Sequence, residues 1–186
     1  MRLDPKYFVP FLLIIAVFCT LLIVYFNFRH INKQETRFAE RVGDGTEFWH
    51  FSYPEYGTDE GTVTPSELTG TTDEVFTAIL FWASWSGRGE QALIRLNGIA
   101  EESGNLTIIA AAVRDNQRYI REFREANPMD VIYVNGTEIY QEKRLTGLPS
   151  LLLFDTEGTL ISGTFGFSGE EQMRDLIQLI NPEYQL

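Results

Sequence analysis

Hydrophobic and polar positions divide this chain into three stretches. From Phe8 to Phe26 there is no charged residue, and fourteen of the nineteen positions are Leu, Ile, Val or Phe. A helix of that length is about 28 Å long, close to the roughly 30 Å of a bilayer core. Pro10 falls in its first turn, where a helix tolerates proline. Residues 30–41 are polar and charged, with Phe38 almost alone among them. They either extend the apolar helix or act as a spacer, until Gly43-Asp44-Gly45 breaks the run. Beyond that point, short apolar blocks alternate with turn signals.

Glu47 to Tyr53 alternates aromatic and polar residues and predicts a strand. Thr62-Val63-Thr64 predicts a second, after a Pro/Gly-rich loop, with a turn at Pro65–Leu68. Val75 to Trp82 is an apolar run of strand length, the pattern of a strand covered on both faces. Ala92, Leu93, Leu96, Ile99 and Ala100 then recur at helical spacing, and Gly104-Asn105 stops that helix. Leu106 to Val113 predicts a further buried strand. Asp115 is placed to cap the next helix, whose stripe is Tyr119, Ile120, Phe123 and Ala126, and Asn127-Pro128 ends it. A stretch with no clear period follows. Ser150–Phe154 and Thr159–Thr164 form a strand pair across Asp155-Thr156-Glu157-Gly158. Ser168 and Glu171 form a capping box for a last helix with Met173, Leu176, Ile177 and Ile180 on one face. The predicted architecture is a mixed α/β sheet flanked by helices, with an N-terminal β-hairpin extension, preceded by one transmembrane helix.

Charge refines this picture. Of the 15 Lys and Arg only Arg2 and Lys6 precede residue 29, and of the 26 Asp and Glu only Asp4, so the remainder carries a net charge of −12. That balance excludes nucleic acid as a partner and opposes a domain lying flat on anionic lipid. The apolar run exceeds the usual signal-peptide core and lacks a small-x-small cleavage site, so it reads as an uncleaved single-span anchor. Cys19, the only cysteine, follows the bulky Phe18 inside this run and reads as an apolar filler. Arg29, Lys33, Arg37 and Arg41 after the span outnumber the positives before it, which favours a cytoplasmic domain; a long following domain weakens that rule. No metal-ligand cluster, phosphate loop or coenzyme fingerprint stands out, so no cofactor and no metal are expected. The two histidines, His30 and His50, are not placed for a catalytic triad.

The most telling words are Phe81-Trp82-Ala83-Ser84-Trp85-Ser86-Gly87-Arg88-Gly89, at the end of the first long strand and the start of a helix. Gly147-Leu148-Pro149-Ser150 precedes a later apolar strand. Phe154 to Gly158 writes a hairpin, Gly166 precedes the final helix, and Thr64 to Leu68 leads into the core. In this order, behind an apolar anchor, residues 43–181 resemble the membrane-anchored thioredoxin-like (redoxin) proteins of the TlpA/ResA type. The resemblance implies a thioredoxin-like fold, a cis peptide bond before Pro149 and an extracytoplasmic domain, against the local charge count. It also places the family's Cys-x-x-Cys pair at Ser86 and Gly89.

Neither position carries a thiol. A disulfide exchange needs one thiolate to attack and a second to resolve the mixed disulfide. A serine hydroxyl is a far weaker acid than a thiol and forms no disulfide; glycine has no side chain. A dithiol cycle within the soluble part is therefore excluded. Ser86 reads as a helix N-cap and Glu90 as a first-turn carboxylate that suits the helix dipole. The resemblance implies that the backbone before Pro149 pairs with an extended segment, which needs main-chain groups and no thiol. The vestigial positions Ser86 and Gly89, together with Trp85, Gly87, Arg88, Leu148 and Pro149, are thus the candidate binding residues, and no residue is assigned a catalytic role. The expected organisation is an anchor over 1–28, a linker over 29–46 and a thioredoxin-like domain over 47–186, in a single-pass protein of the cell inner membrane. The expected function is binding of an extended peptide or partner protein, as an accessory in envelope protein assembly or redox homeostasis. The alternative is a component of a thiol-disulfide pathway whose thiols a partner supplies.

Overall fold

The computed structural model describes residues 5–57, 61–68, 75–167 and 170–180. They fall into two compact units, residues 1–37 and 38–186. The first is helical, the greater part of α1 (Pro5–Val42). Its apolar side chains, Phe11, Leu13, Ile14 and Phe18 among them, are exposed. The helix is long and apolar enough to cross a membrane. The polar residues 30–41 continue it rather than forming a separate spacer, because no glycine or proline interrupts them. Gly43, at φ 61°, ends it, its N–H donating to the Ala39 carbonyl at 2.9 Å.

The second unit is built on a five-stranded sheet of order β5-β4-β3-β6-β7, comprising β3 (Phe76–Trp82), β4 (Leu106–Ala112), β5 (Ile132–Asn135), β6 (Ser150–Phe154) and β7 (Leu160–Phe165). β3 pairs in parallel with β4, and β4 with β5; β6 runs antiparallel to both β3 and β7. Alternation along β3 divides the core in two. Ala78, Leu80 and Trp82 face a cluster with Leu93 and Leu96 of α4 (Gly87–Ser103), Ile120 and Phe123 of α5 (Gln117–Ala126), and Leu176 of α7 (Glu170–Ile180). Ile79 and Phe81 face the opposite cluster, with Phe38 and Val42 from the last turn of α1, Phe48 and Trp49 from α2 (Thr46–Trp49), and Ile139 from α6 (Thr137–Glu142). Both faces are covered, which is why β3 and β4 read as near-continuous apolar runs. Each large side chain so buried contributes roughly 1.5–3 kcal/mol.

Four local expectations are corrected. Residues 47–53 are not a strand: Thr46–Trp49 is helical, and only Tyr53–Pro54 (β1) pairs, with Thr62–Val63 (β2). The Asp44 carboxylate accepts the Thr46 N–H at 3.0 Å, and Gly45 at φ 78° turns the chain into the helix. Phe48 and Trp49 are then buried in the same cluster, on one side of the sheet, whereas alternation along a strand would send them to opposite faces. Pro65–Leu68 closes a short helix, α3, instead of a turn. Asn116, not Asp115, caps α5, accepting the Arg118 N–H at 2.8 Å. The stretch without a clear period holds both β5 and α6. It turns between them at Asn135-Gly136-Thr137, where the Asn135 side chain accepts the Thr137 N–H at 3.0 Å. The capping box of the last helix involves Ser168, which lies outside the described residues. In the β6–β7 hairpin, Asp155 accepts N–H groups from Glu157 and Thr159, at 2.9 and 2.7 Å. Gly158 turns the chain there at φ 82°, and a Cβ would stand 2.3 Å from the Trp49 indole nitrogen, so no other residue fits.

Candidate functional site

The end of β3 and the start of α4 form one corner of the second unit. Ser86 has extended backbone angles, and its hydroxyl accepts the Gly89 N–H at 3.3 Å, which makes it the N-cap of α4. The N–H groups of the first turn lie beyond the reach of the helix's own carbonyls. The loop before it is tied down from below. Asp115, free of any capping duty, accepts the Ser84 N–H at 2.5 Å and the Ser84 hydroxyl at 2.8 Å. Gly89 is buried, and a Cβ placed on it would stand 3.1 Å from the Ala83 carbonyl oxygen. The turn is packed around a glycine at this position. Trp82 is buried, whereas Trp85 is 66% exposed.

The opposite wall comes from α6 and the loop into β6. The Leu148–Pro149 peptide bond is cis. The Gly147 carbonyl accepts two hydroxyls, from Tyr140 and Ser150, both at 2.9 Å, and the Pro149 carbonyl accepts the Phe167 N–H at 2.8 Å. Thr146 and Leu148 make no hydrogen bond among the described residues. Between the two walls lies a cleft of about 770 Å³, within the size range of small-ligand and peptide sites. Trp85, Ser86, Tyr140 and Leu148 line it, together with Arg41, Arg114 and Arg144.

Of the residues singled out in the sequence, the cleft thus brings together Trp85, Ser86 and Leu148. Gly87 and Arg88 are exposed on the helix start without lining it, and Pro149 and Gly89 are buried behind it. Arg41, Arg114, Tyr140 and Arg144 belong to the cleft and carry no signal in the sequence, since each arrives on a different element. Burial pushes the Tyr140 hydroxyl up to about 12, partly offset by the nearby Arg114 and Arg41. Tyr140 therefore stays a neutral donor to Gly147 at physiological pH. Arg114 and Arg144 have φ of 50° and 52°, the only non-glycine residues among those described in the left-handed region. The Arg114 N–H donates to the Thr137 hydroxyl at 2.9 Å, and the Arg41 guanidinium donates to the Arg144 carbonyl.

No protein-family model matches the chain. No curated protein matches it in sequence either. Solved structures do match in shape. A secreted Mycobacterium tuberculosis disulfide oxidoreductase homologous to E. coli DsbE superposes with a TM-score of 0.55 at 14% identity, covering 73% of this chain and 98% of that one. A thioredoxin-family thiol:disulfide interchange protein from Chlorobium tepidum gives 0.57 at 13%, covering 70% and 92%. A thioredoxin-like protein from Aeropyrum pernix gives 0.57 at 12%, covering 76% and 94%. Identities this low speak to the fold alone. The chain has a thioredoxin-like α/β fold with a five-stranded mixed sheet flanked by helices, behind an N-terminal helix long and apolar enough to cross a membrane.

Proposed function

We propose that this protein is a membrane-anchored, thioredoxin-like binding protein that takes up an extended peptide or partner segment at the Ser86–Leu148 cleft and does no dithiol chemistry of its own. One observation carries this reading. The cleft between the α4 turn and the Leu148–Pro149 loop is open and has unpaired main-chain groups, while the chain's single cysteine, Cys19, lies in the apolar helix. Strand addition to such a loop draws on backbone hydrogen bonds and needs no thiol. Residues 1–28 act as the anchor, 29–46 as the linker and 47–186 as the binding domain, on the extracytoplasmic side of the cell inner membrane. The role is accessory, in envelope protein assembly or redox homeostasis.

Titration of the full chain in detergent with an extended, cysteine-free peptide tests this reading. Binding should occur and should weaken at least ten-fold in Trp85→Ala and Leu148→Glu. Binding unchanged in both variants would remove the cleft from the account. A cysteine introduced at exposed Thr156 should react in whole cells with a membrane-impermeant reagent; protection there, with labelling only after lysis, would place the domain in the cytoplasm. A second reading is favoured by the thiol-disulfide chemistry named for two of the structural neighbours. In it the domain docks a partner that brings its own dithiol, and insulin reduction would appear only in the mixture.

A further inference from the structure

We infer that the cleft selects an acidic segment: Arg114 and Arg144 are the specificity residues, and the occupant is an extended peptide carrying Asp or Glu side chains. This rests on the reading of the cleft as a peptide groove and adds what the groove prefers.

The first argument is charge. Beyond residue 28 the chain is strongly acidic, with a net charge of −12, yet the cleft lining holds three guanidiniums and no carboxylate. Two cations outside the cleft lining are held in ion pairs. Lys143, adjacent to Arg144 in sequence, pairs with Glu47 and also approaches Glu142; Arg118 pairs with Glu122 at 2.8 Å. Among the described residues, no carboxylate forms an ion pair with Arg41, Arg114 or Arg144.

The second argument is backbone strain. Left-handed backbone angles crowd the Cβ of an L-residue, and glycine or asparagine normally occupies them. Arginine stands at both such positions here, and both line the same cleft. An unfavourable conformation held at two sites around one cleft points to a function for the side chains. The Arg114 N–H is held by the Thr137 hydroxyl, and the Arg144 carbonyl by the guanidinium of Arg41, itself part of the lining. A guanidinium offers five donors in a planar fork, which matches a carboxylate in a bidentate pair.

The third argument is shape. About 770 Å³, an exposed Trp85 and the unpaired main chain of Thr146 and Leu148 suit a segment with a backbone and side chains, more than a small inorganic anion. Trp85 offers an apolar platform, Leu148 the backbone partner, and the arginines the charge.

The test uses the full chain in neutral detergent and two labelled ten-residue peptides that alternate Val with either Asp or Asn, read by fluorescence anisotropy. The Asp peptide should bind at least ten-fold more tightly than the Asn peptide. Its advantage should shrink as salt rises, since the screening length falls from about 10 Å at 0.1 M to roughly 3 Å at 1 M. In Arg114→Asn/Arg144→Asn the preference should vanish while the melting temperature holds or rises, because asparagine accepts the backbone angles better. In Arg114→Lys/Arg144→Lys, which keeps the charge without the fork, a reduced preference should remain. Equal binding of the two peptides, unmoved by either double variant, would overturn this inference and leave the groove intact. Binding of neither peptide would overturn both. Binding of inorganic phosphate or of phosphatidylglycerol vesicles in place of the Asp peptide would also overturn it, by assigning the arginines to another anion.

Discussion

The two walls of the cleft differ in kind. The Ser86–Gly89 turn is relaxed: a serine caps a helix with ordinary extended angles, a glycine sits where only a glycine packs easily, and Asp115 pins the loop from below. The rest of the lining is strained and charged: Arg114, after β4, and Arg144, after α6, hold left-handed angles, and no carboxylate among the described residues pairs with them. In a disulfide-exchanging protein the reactive wall is the helix start, where a thiolate is stabilised by the helix N-terminus. Here that wall offers no thiol, only the exposed Trp85 and the capping Ser86, and the charged groups of the lining come from other elements. In the proposed reading the groove works without reactive atoms and its selectivity rests on other elements.

Several measurements would break or sharpen this contrast. The largest effect is expected from Asp115→Ala. It removes the acceptor for two Ser84 donors and leaves a partly buried N–H unpaired, costing about 1.5–3 kcal/mol of stability in chemical denaturation. A cost near zero would mean that the turn needs no tether. Next is Ser86→Ala, which loses the cap and should cost about 1 kcal/mol while leaving peptide affinity unchanged. A large loss of affinity with little loss of stability would make the Ser86 hydroxyl a ligand contact rather than a cap.

Alkaline pH reaches the facing wall. Burial raises the tyrosine pKa in the folded state, to about 12 for Tyr140 and for Tyr133. The unfolded chain therefore loses these protons first, near pH 10, and stability should fall as pH rises from about 10 to 12. Tyr140 is partly exposed, so its share of the fall is modest. Tyr140→Phe should flatten part of it; an identical pH profile in that variant would contradict the assignment. The smallest change in stability is expected from Arg114→Asn or Arg144→Asn alone, between no effect and a gain of about 1 kcal/mol. A clear loss from either would show that the arginine supports the fold rather than a ligand.

Much of this architecture is legible in the sequence because both faces of the sheet are covered. The apolar runs of β3, β4 and β6 have strand length and leave no room for another assignment, and the stripe Ala92, Leu93, Leu96 and Ile99 fixes the helix between the first two. That the chain beyond residue 28 carries no thiol is equally legible, because Cys19 is the only cysteine. What escapes is local competition. Phe48 and Trp49 read as alternating, but a single carboxylate at Asp44 and a left-handed Gly45 wind them into a turn of helix. Asp115 looks like a helix cap, and is outcompeted by its neighbour Asn116 because Ser84, remote in sequence, claims it. The cleft escapes for a related reason. Arg41, Arg114 and Arg144 are single charges in α1, after β4 and after α6, and only the fold brings them to one cleft. Conversely, Arg88 has the more suggestive sequence setting, between two glycines at a helix start, and does not line the cleft.

The central claim is that this cleft binds a segment of another protein without any thiol. Replacing the single cysteine tests it most directly. Cys19→Ser gives a thiol-free chain, to be compared with the unaltered one in peptide titration and in insulin reduction, both as full chains in detergent. The account predicts the same peptide affinity for the two proteins and no insulin reduction by either. Insulin reduction by the unaltered chain that disappears in Cys19→Ser, or peptide binding that disappears with it, would contradict the account.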